Sequence, residues 1–172
     1  MPDQSQQQPA HDVDGYDRIT SALLALLNQY PALQTGDKIK FADLDDTTGK
    51  AMVPSAGSVI VRERSFIGGL IQQHCSYPFT IYYRTSGATP ARRQSIQEWL
   101  DQLGRWLERQ PISIGEVVHK LTAYPDIADG RKIIDIRRTA PAGCGGVLEN
   151  GAEDWTISLQ LNYLYEFHNT TL

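Results

Sequence analysis

The clearest pattern in the chain lies near its end. From Asp154 to His168, Trp155, Ile157, Leu159, Leu161, Tyr163, Tyr165 and Phe167 take every second position. Thr156, Ser158, Gln160, Asn162, Glu166 and His168 fill the gaps, with Leu164 the exception. Side chains on a strand point alternately to opposite faces, so this spacing predicts one long strand with an apolar and a polar side. No Pro or Gly interrupts it.

The rest of the chain divides into shorter signals. Ile19, Leu23, Leu26, Leu27 and Tyr30 fall at helical spacing and predict a helix over 16–30, charged or capped by Asp14 or Asp17 and stopped by Pro31. Lys38 to Ala42 reads as a short strand. Asp43, Asp45 and Asp46 follow it. They lack the D-x-[DN]-x-[DN]-G order of a calcium loop and read as a solvated acidic turn. Ser58 to Phe66 alternates in part and predicts a strand, with a bend at Gly68-Gly69. Leu70 to Arg84 is a second long strand containing Pro78. Proline cannot donate to a ladder, so the edge is free there or the strand bulges.

Thr89 and Pro90 are an N-cap and a first helical residue. The helix they open carries Ile96, Trp99, Leu100, Leu103, Trp106 and Leu107 as an apolar stripe. Trp99 and Trp155 are expected as core anchors. Ile112, Ile114, Val117, Val118 and Leu121 suggest a short helix from Ser113, with Glu116 completing a capping box. Lys132 to Thr139 reads as a strand, Ala140 to Gly146 as a flexible loop of small residues, and Glu149-Asn150-Gly151 as a hairpin turn. The order predicts an α+β fold: an antiparallel or mixed β-sheet with two main helices packed on one face. Residues 1–14, polar and Gln-rich, are expected to form a flexible N-terminal arm, and residues 15–172 a single domain.

Composition narrows the classes. The chain has 172 residues, enough for one core, and its 41% hydrophobic and 21% charged content suits a globular domain. A net charge of −4 argues against a DNA-coating protein. No stretch approaches the ~20 apolar residues of a membrane helix. Cys75 and Cys144 read as reduced thiols. No metal or cofactor motif is present. His74 and Cys75 are neighbours on a strand and would point apart, so they make no catalytic pair. Gly143-Cys144-Gly145-Gly146 lacks the Lys-Ser/Thr ending of a phosphate loop. The residues give no grounds for an enzyme.

The strand Ser76-Tyr-Pro-Phe-Thr-Ile-Tyr-Tyr-Arg84, the Trp-bearing helix after Thr89-Pro90, and Glu153-Asp-Trp-Thr-Ile-Ser-Leu-Gln-Leu-Asn-Tyr163 stand in an order that resembles the tail terminator or minor capsid proteins of long-tailed bacteriophages. The likeness spans most of residues 16 to 167. It implies a small α+β subunit that forms a homo-oligomeric ring, hexameric in the family. Such a ring caps the tail tube, stops its polymerisation and joins it to the head connector, while DNA passes through the lumen without specific binding. It implies a virion protein of the neck, assembled in the host cytoplasm, with no catalytic residue, no cofactor and no membrane partner. Segment 111–129 is longer than this pattern has at that place. Arg62, Arg64, Arg137 and Arg138 are candidate interface residues, because arginine is enriched where proteins meet. Glu149 and Asn150 join them, since the hairpin loop from Ala140 to Glu153 is a place to meet a neighbour. The alternatives are another neck component, such as a head-completion adaptor, or a small cytoplasmic enzyme or ligand-binding domain.

Overall fold

A computed structural model describes residues 15–169. The expected arm, residues 1–14, lies outside the described residues.

The molecule is built on two long antiparallel strands, β4 (Leu70–Thr85) and β10 (Glu153–His168). They pair without a register break from Glu153↔Thr85 to His168↔Leu70. The predicted alternation is what welds them to the core. Ile157, Leu159, Leu161 and Tyr163 lie opposite Ile81, Phe79, Tyr77 and Cys75, and all eight are buried.

Each strand is then flanked differently along its two halves. β2 (Gly49–Pro54) pairs with β4 at residues 79–84, and β3 (Val59–Ser65) pairs with it at residues 71–76. On the other side, β9 (Gly143–Val147) pairs with β10 at residues 153–156, and β8 (Arg131–Arg138) at residues 159–165. β1 (Ile39–Phe41) adds to β2 in parallel, and β7 (Asp126–Ile127) adds to β8. The sheet is therefore mixed but mostly antiparallel, as the sequence predicts.

Pro78 sits where β2 has ended and β3 has not begun. Its carbonyl accepts from the Ser55 N–H at 3.0 Å, and its missing N–H faces the same gap. The free-edge alternative is the one realised.

Two helices cover one face. α1 (Tyr16–Leu27) buries Ile19, Leu23, Leu26 and Leu27. Gly15, not an aspartate, is its N-cap. It ends before Tyr30, where Asn28 turns the chain. The Asn28 side chain donates to the Ile39 carbonyl and accepts from the Ile39 N–H, both at 3.0 Å, and so clamps β1 to the helix end. α2 (Pro90–Leu107) begins as predicted: the Thr89 hydroxyl accepts from the Arg92 N–H at 3.2 Å. Gly104 lets it lie close on the sheet. A Cβ there would fall 2.5 Å from Arg138 Cδ and 2.8 Å from Ile157 Cδ1.

Three expectations are corrected. The helix from Ser113 is instead a hairpin, β5 (Ile112–Ile114) with β6 (Val117–His119). Gly115 carries φ +60 in its turn. Within the hairpin Ile112 is buried and Ile114 packs against the core, while Val117 and Val118 stay exposed. The flexible loop at 140–146 is in part the strand β9, because small residues let its backbone lie against β10. At Gly145 a Cβ would press on Thr156 at 2.8 Å. Trp99 and Trp155 are half-buried, and Trp106 is the buried tryptophan. Each of the two keeps its indole N–H hydrogen-bonded at the core's rim, Trp99 to the Ala32 carbonyl at 3.2 Å and Trp155 to Glu153 at 3.1 Å. No helix among the described residues is long and apolar enough to cross a membrane.

Candidate functional site

β3 departs from the rule that one strand face is buried. Its sequence, Val-Ile-Val-Arg-Glu-Arg-Ser, puts apolar and charged residues on both faces, and all seven residues are exposed. Val61 is 69% exposed, and Phe66 and Ile67 at the following turn are exposed too. The β3–β4 hairpin thus runs beyond the helix-covered core. Its tip is fastened by Phe66 N–H to the Leu70 carbonyl at 2.8 Å and by Asn169 N–H to the Gly69 carbonyl at 2.8 Å. Inside the strand a bulge between Ile60 and Arg62 resets the pairing. Among the described residues β3 pairs with β4 alone, so its outer row of backbone groups is open. An open, apolar strand edge is a template for another chain.

A second open edge lies on the opposite side. Among the described residues β9 pairs with β10 alone, and its Cys144 and Val147 are exposed. It flanks the other end of the spine from β3. Beside it lies the acidic turn. The Arg84 guanidinium donates to the Asp45 carbonyl at 3.1 Å, and the Asn150 amide donates to the Asp46 carbonyl at 2.9 Å. These bonds hold the turn by its backbone and leave the Asp45 and Asp46 carboxylates exposed. Arg84 is itself fixed by Asp154, its cross-strand partner, through contacts of 2.7 and 2.8 Å.

The candidate residues separate into three sets. Arg62 and Arg64 lie exposed on β3, at the open edge. Glu149 is exposed at the β9–β10 turn near the acidic turn. Arg137, Arg138 and Asn150 also bond within the chain, though Arg137 and Asn150 stay exposed. Arg137 pairs with Asp135 at 2.9 Å. Asn150 also accepts from the Ala152 N–H at 3.0 Å and so shapes its own turn. Arg138 is tied to Glu108 twice, by its backbone N–H and by its guanidinium, each at 2.9 Å. Burial alone would push the Glu108 carboxyl up, but Arg138's hydrogen bonds and charge outweigh it and hold the group below the usual carboxylate range. Arg138 is therefore a structural residue.

The sequence reading passed over the apolar residues of this surface: Val59, Ile60, Val61, Phe66 and Ile67. The signal was present in β3's apolar positions, which fall on both faces of a strand that no flanking pattern could bury twice. His74 and Cys75 do point apart, with only Cys75 buried.

No protein-family model matches the chain, and no curated protein does. The candidate site is therefore defined by its own geometry: of the strands with a single partner among the described residues, β3 and β9 lie on opposite sides of one spine, the first basic and apolar, the second beside exposed carboxylates, while the short end strands β1 and β7 have one partner each as well.

Proposed function

We propose that the protein is a ring-forming subunit of a bacteriophage neck, a tail terminator that caps the tail tube, halts its growth and joins it to the head connector. One observation carries the reading: two exposed strands, β3 and β9, flank the β4–β10 spine on opposite sides and at opposite ends, each with one partner among the described residues. A contact between two different surfaces of the same chain is head-to-tail, and it closes into a ring when the rotation allows. Arg62 and Arg64 on one edge and Asp45, Asp46 and Glu149 beside the other give that contact complementary charge. The sequence likeness to tail terminators supports the tail as the place where the ring works.

The test is a phage lacking this gene. Tails of uncontrolled length that never join heads are the expected result. Normal free tails beside empty or leaking heads would assign the protein to the head-completion adaptors instead. A gene neighbourhood of metabolic enzymes, without tail genes, would remove both readings.

A further inference from the structure

Arg131, the first residue of β8, is only 6% exposed. A guanidinium keeps its charge, so burying one calls for a counter-group. No carboxylate among the described residues pairs with it. The acids nearest in chain and register are engaged or turned outward: Asp129 holds Arg18, Glu166 accepts from the Gln72 amide at 2.6 Å, and Asp17 is exposed.

What holds Arg131 is contact with its flat faces. Its Cζ lies over the Tyr165 ring, 4.0 Å from the centroid. Gly15 is stacked on the guanidinium as well: a Cβ there would fall 2.2 Å from Nε, 2.3 Å from Cζ and 2.6 Å from Nη2. Taken together, those three distances place the added carbon above the guanidinium plane rather than at its edge. Such contacts leave the N–H edge unserved, and Nε has no hydrogen-bond partner.

A second such atom belongs to a residue of the same cleft. Ser58 Oγ and Arg131 Nε are the buried side-chain polar atoms without a partner in regular hydrogen-bond geometry among the described residues, and both residues line one cleft of about 570 Å³. Tyr16, Val59, Tyr163 and Phe167 supply much of its wall. Burial raises the Tyr163 hydroxyl, and a side-chain hydrogen bond from the Ser58 hydroxyl opposes that rise, so Ser58 is turned toward Tyr163. The uncapped N-terminus of α1, at Gly15, adds partial positive charge beside Arg131. An orphaned donor that belongs to a buried cation, on an apolar-walled cleft that also holds the Ser58 hydroxyl, calls for a missing acceptor.

We propose that this cleft binds an organic carboxylate, with the carboxylate taking hydrogen bonds from Arg131 and Ser58 and an apolar body lying among Tyr16, Val59 and Phe167. One cation and one hydroxyl suit a single negative charge, and the aromatic walls suit a carbon body better than a bare inorganic ion. The carboxylate comes from a free small molecule or from an acidic side chain of a second copy. The site stands whether or not the protein forms rings.

Benzoate is the probe, titrated into the full chain against sodium chloride at equal ionic strength. The Arg131 Nε–H resonance, assigned by its loss in Arg131→Gln, is expected to shift saturably, and thermal stability to rise with it. Ser58→Ala, a small change that leaves the fold intact, is expected to weaken the titration by about three- to tenfold. Arg131→Gln, if it folds, loses it by more than roughly tenfold. An Nε–H resonance that responds to benzoate no more than to chloride overturns the proposal, as does a Ser58→Ala variant that binds like wild type. The source is read separately. If rising protein concentration alone shifts the resonance and benzoate reverses the self-association, a second copy supplies the carboxylate. If the resonance ignores protein concentration, a free ligand does.

Discussion

Glu108 shows how a single side chain can lock a helix to a sheet. It follows α2 and accepts both the backbone and the guanidinium of Arg138 on β8. Because its carboxyl is held low, its contribution to stability is full above the unfolded-state value and fades as pH falls through the folded one. Glu108→Gln is expected to cost about 2 kcal/mol at neutral pH, the scale of a charge-assisted bond. That corresponds to a loss of about 4–8 °C in melting temperature. The same variant should lose less than wild type between pH 6 and pH 3. Melting curves across that range check both statements, and parallel acid limbs would show that Glu108 is not the group responsible. Arg138→Ala should destabilise in the same way. Arg62→Ala and Arg64→Ala, both exposed, should leave melting within about 0.5 kcal/mol of wild type. The four arginines looked alike in the sequence, since nothing local says which will meet a carboxylate from 30 residues away.

At the scale of elements, what was legible and what was not follow from where the energy sits. β10 was readable because its pattern has a period of 2 and its partner face is buried along most of its length. α2 was readable from Thr89-Pro90 and its stripe. β5 and β6 were misread because their apolar residues meet helix and strand spacing equally well over so short a run, and a turn at Gly115 settled it. β9 was hidden because glycines carry little strand propensity; its place is set by β10. The arginine edge of β3 was visible, whereas the buried, unpaired Arg131 was not, since its orphaning depends on Gly15 and Tyr165 from other elements.

The spine's interior side is the main store of stability. Leu159→Ala, opposite Phe79 and wholly buried, is expected to cost about 3–5 kcal/mol. Trp155→Ala should cost less, because its side chain is only partly buried at the core's rim. Chemical denaturation of the two variants checks the order, and a larger loss at Trp155 would contradict the face assignment. Gly104→Ala belongs with Leu159 although it adds only a methyl group. The added carbon would force α2 off Ile157 and Arg138, so it should destabilise where most helical Gly→Ala changes help.

For the whole molecule the decisive matter is how copies would meet. The two open edges lie on opposite sides of the β4–β10 spine and at its opposite ends. If β3 of one copy pairs with the β9 side of the next, each subunit has one donor edge and one acceptor edge. Blocking either edge stops propagation but leaves the other usable. Val61→Asp places a charge on the exposed face of β3, and Val147→Asp does so on β9. Neither residue is buried, so both variants should melt like wild type. Under conditions where wild type forms rings, each variant alone should remain monomeric by native mass spectrometry. An equimolar mixture should then form heterodimers and nothing larger, because only one pair of intact edges is left. If instead the edges paired like with like, Val147→Asp alone would still dimerise through β3, and the mixture would add no heterodimer. Wild-type rings that survive both substitutions would place the subunit contact elsewhere and leave the exposed β3 hairpin for the tail tube or the head connector.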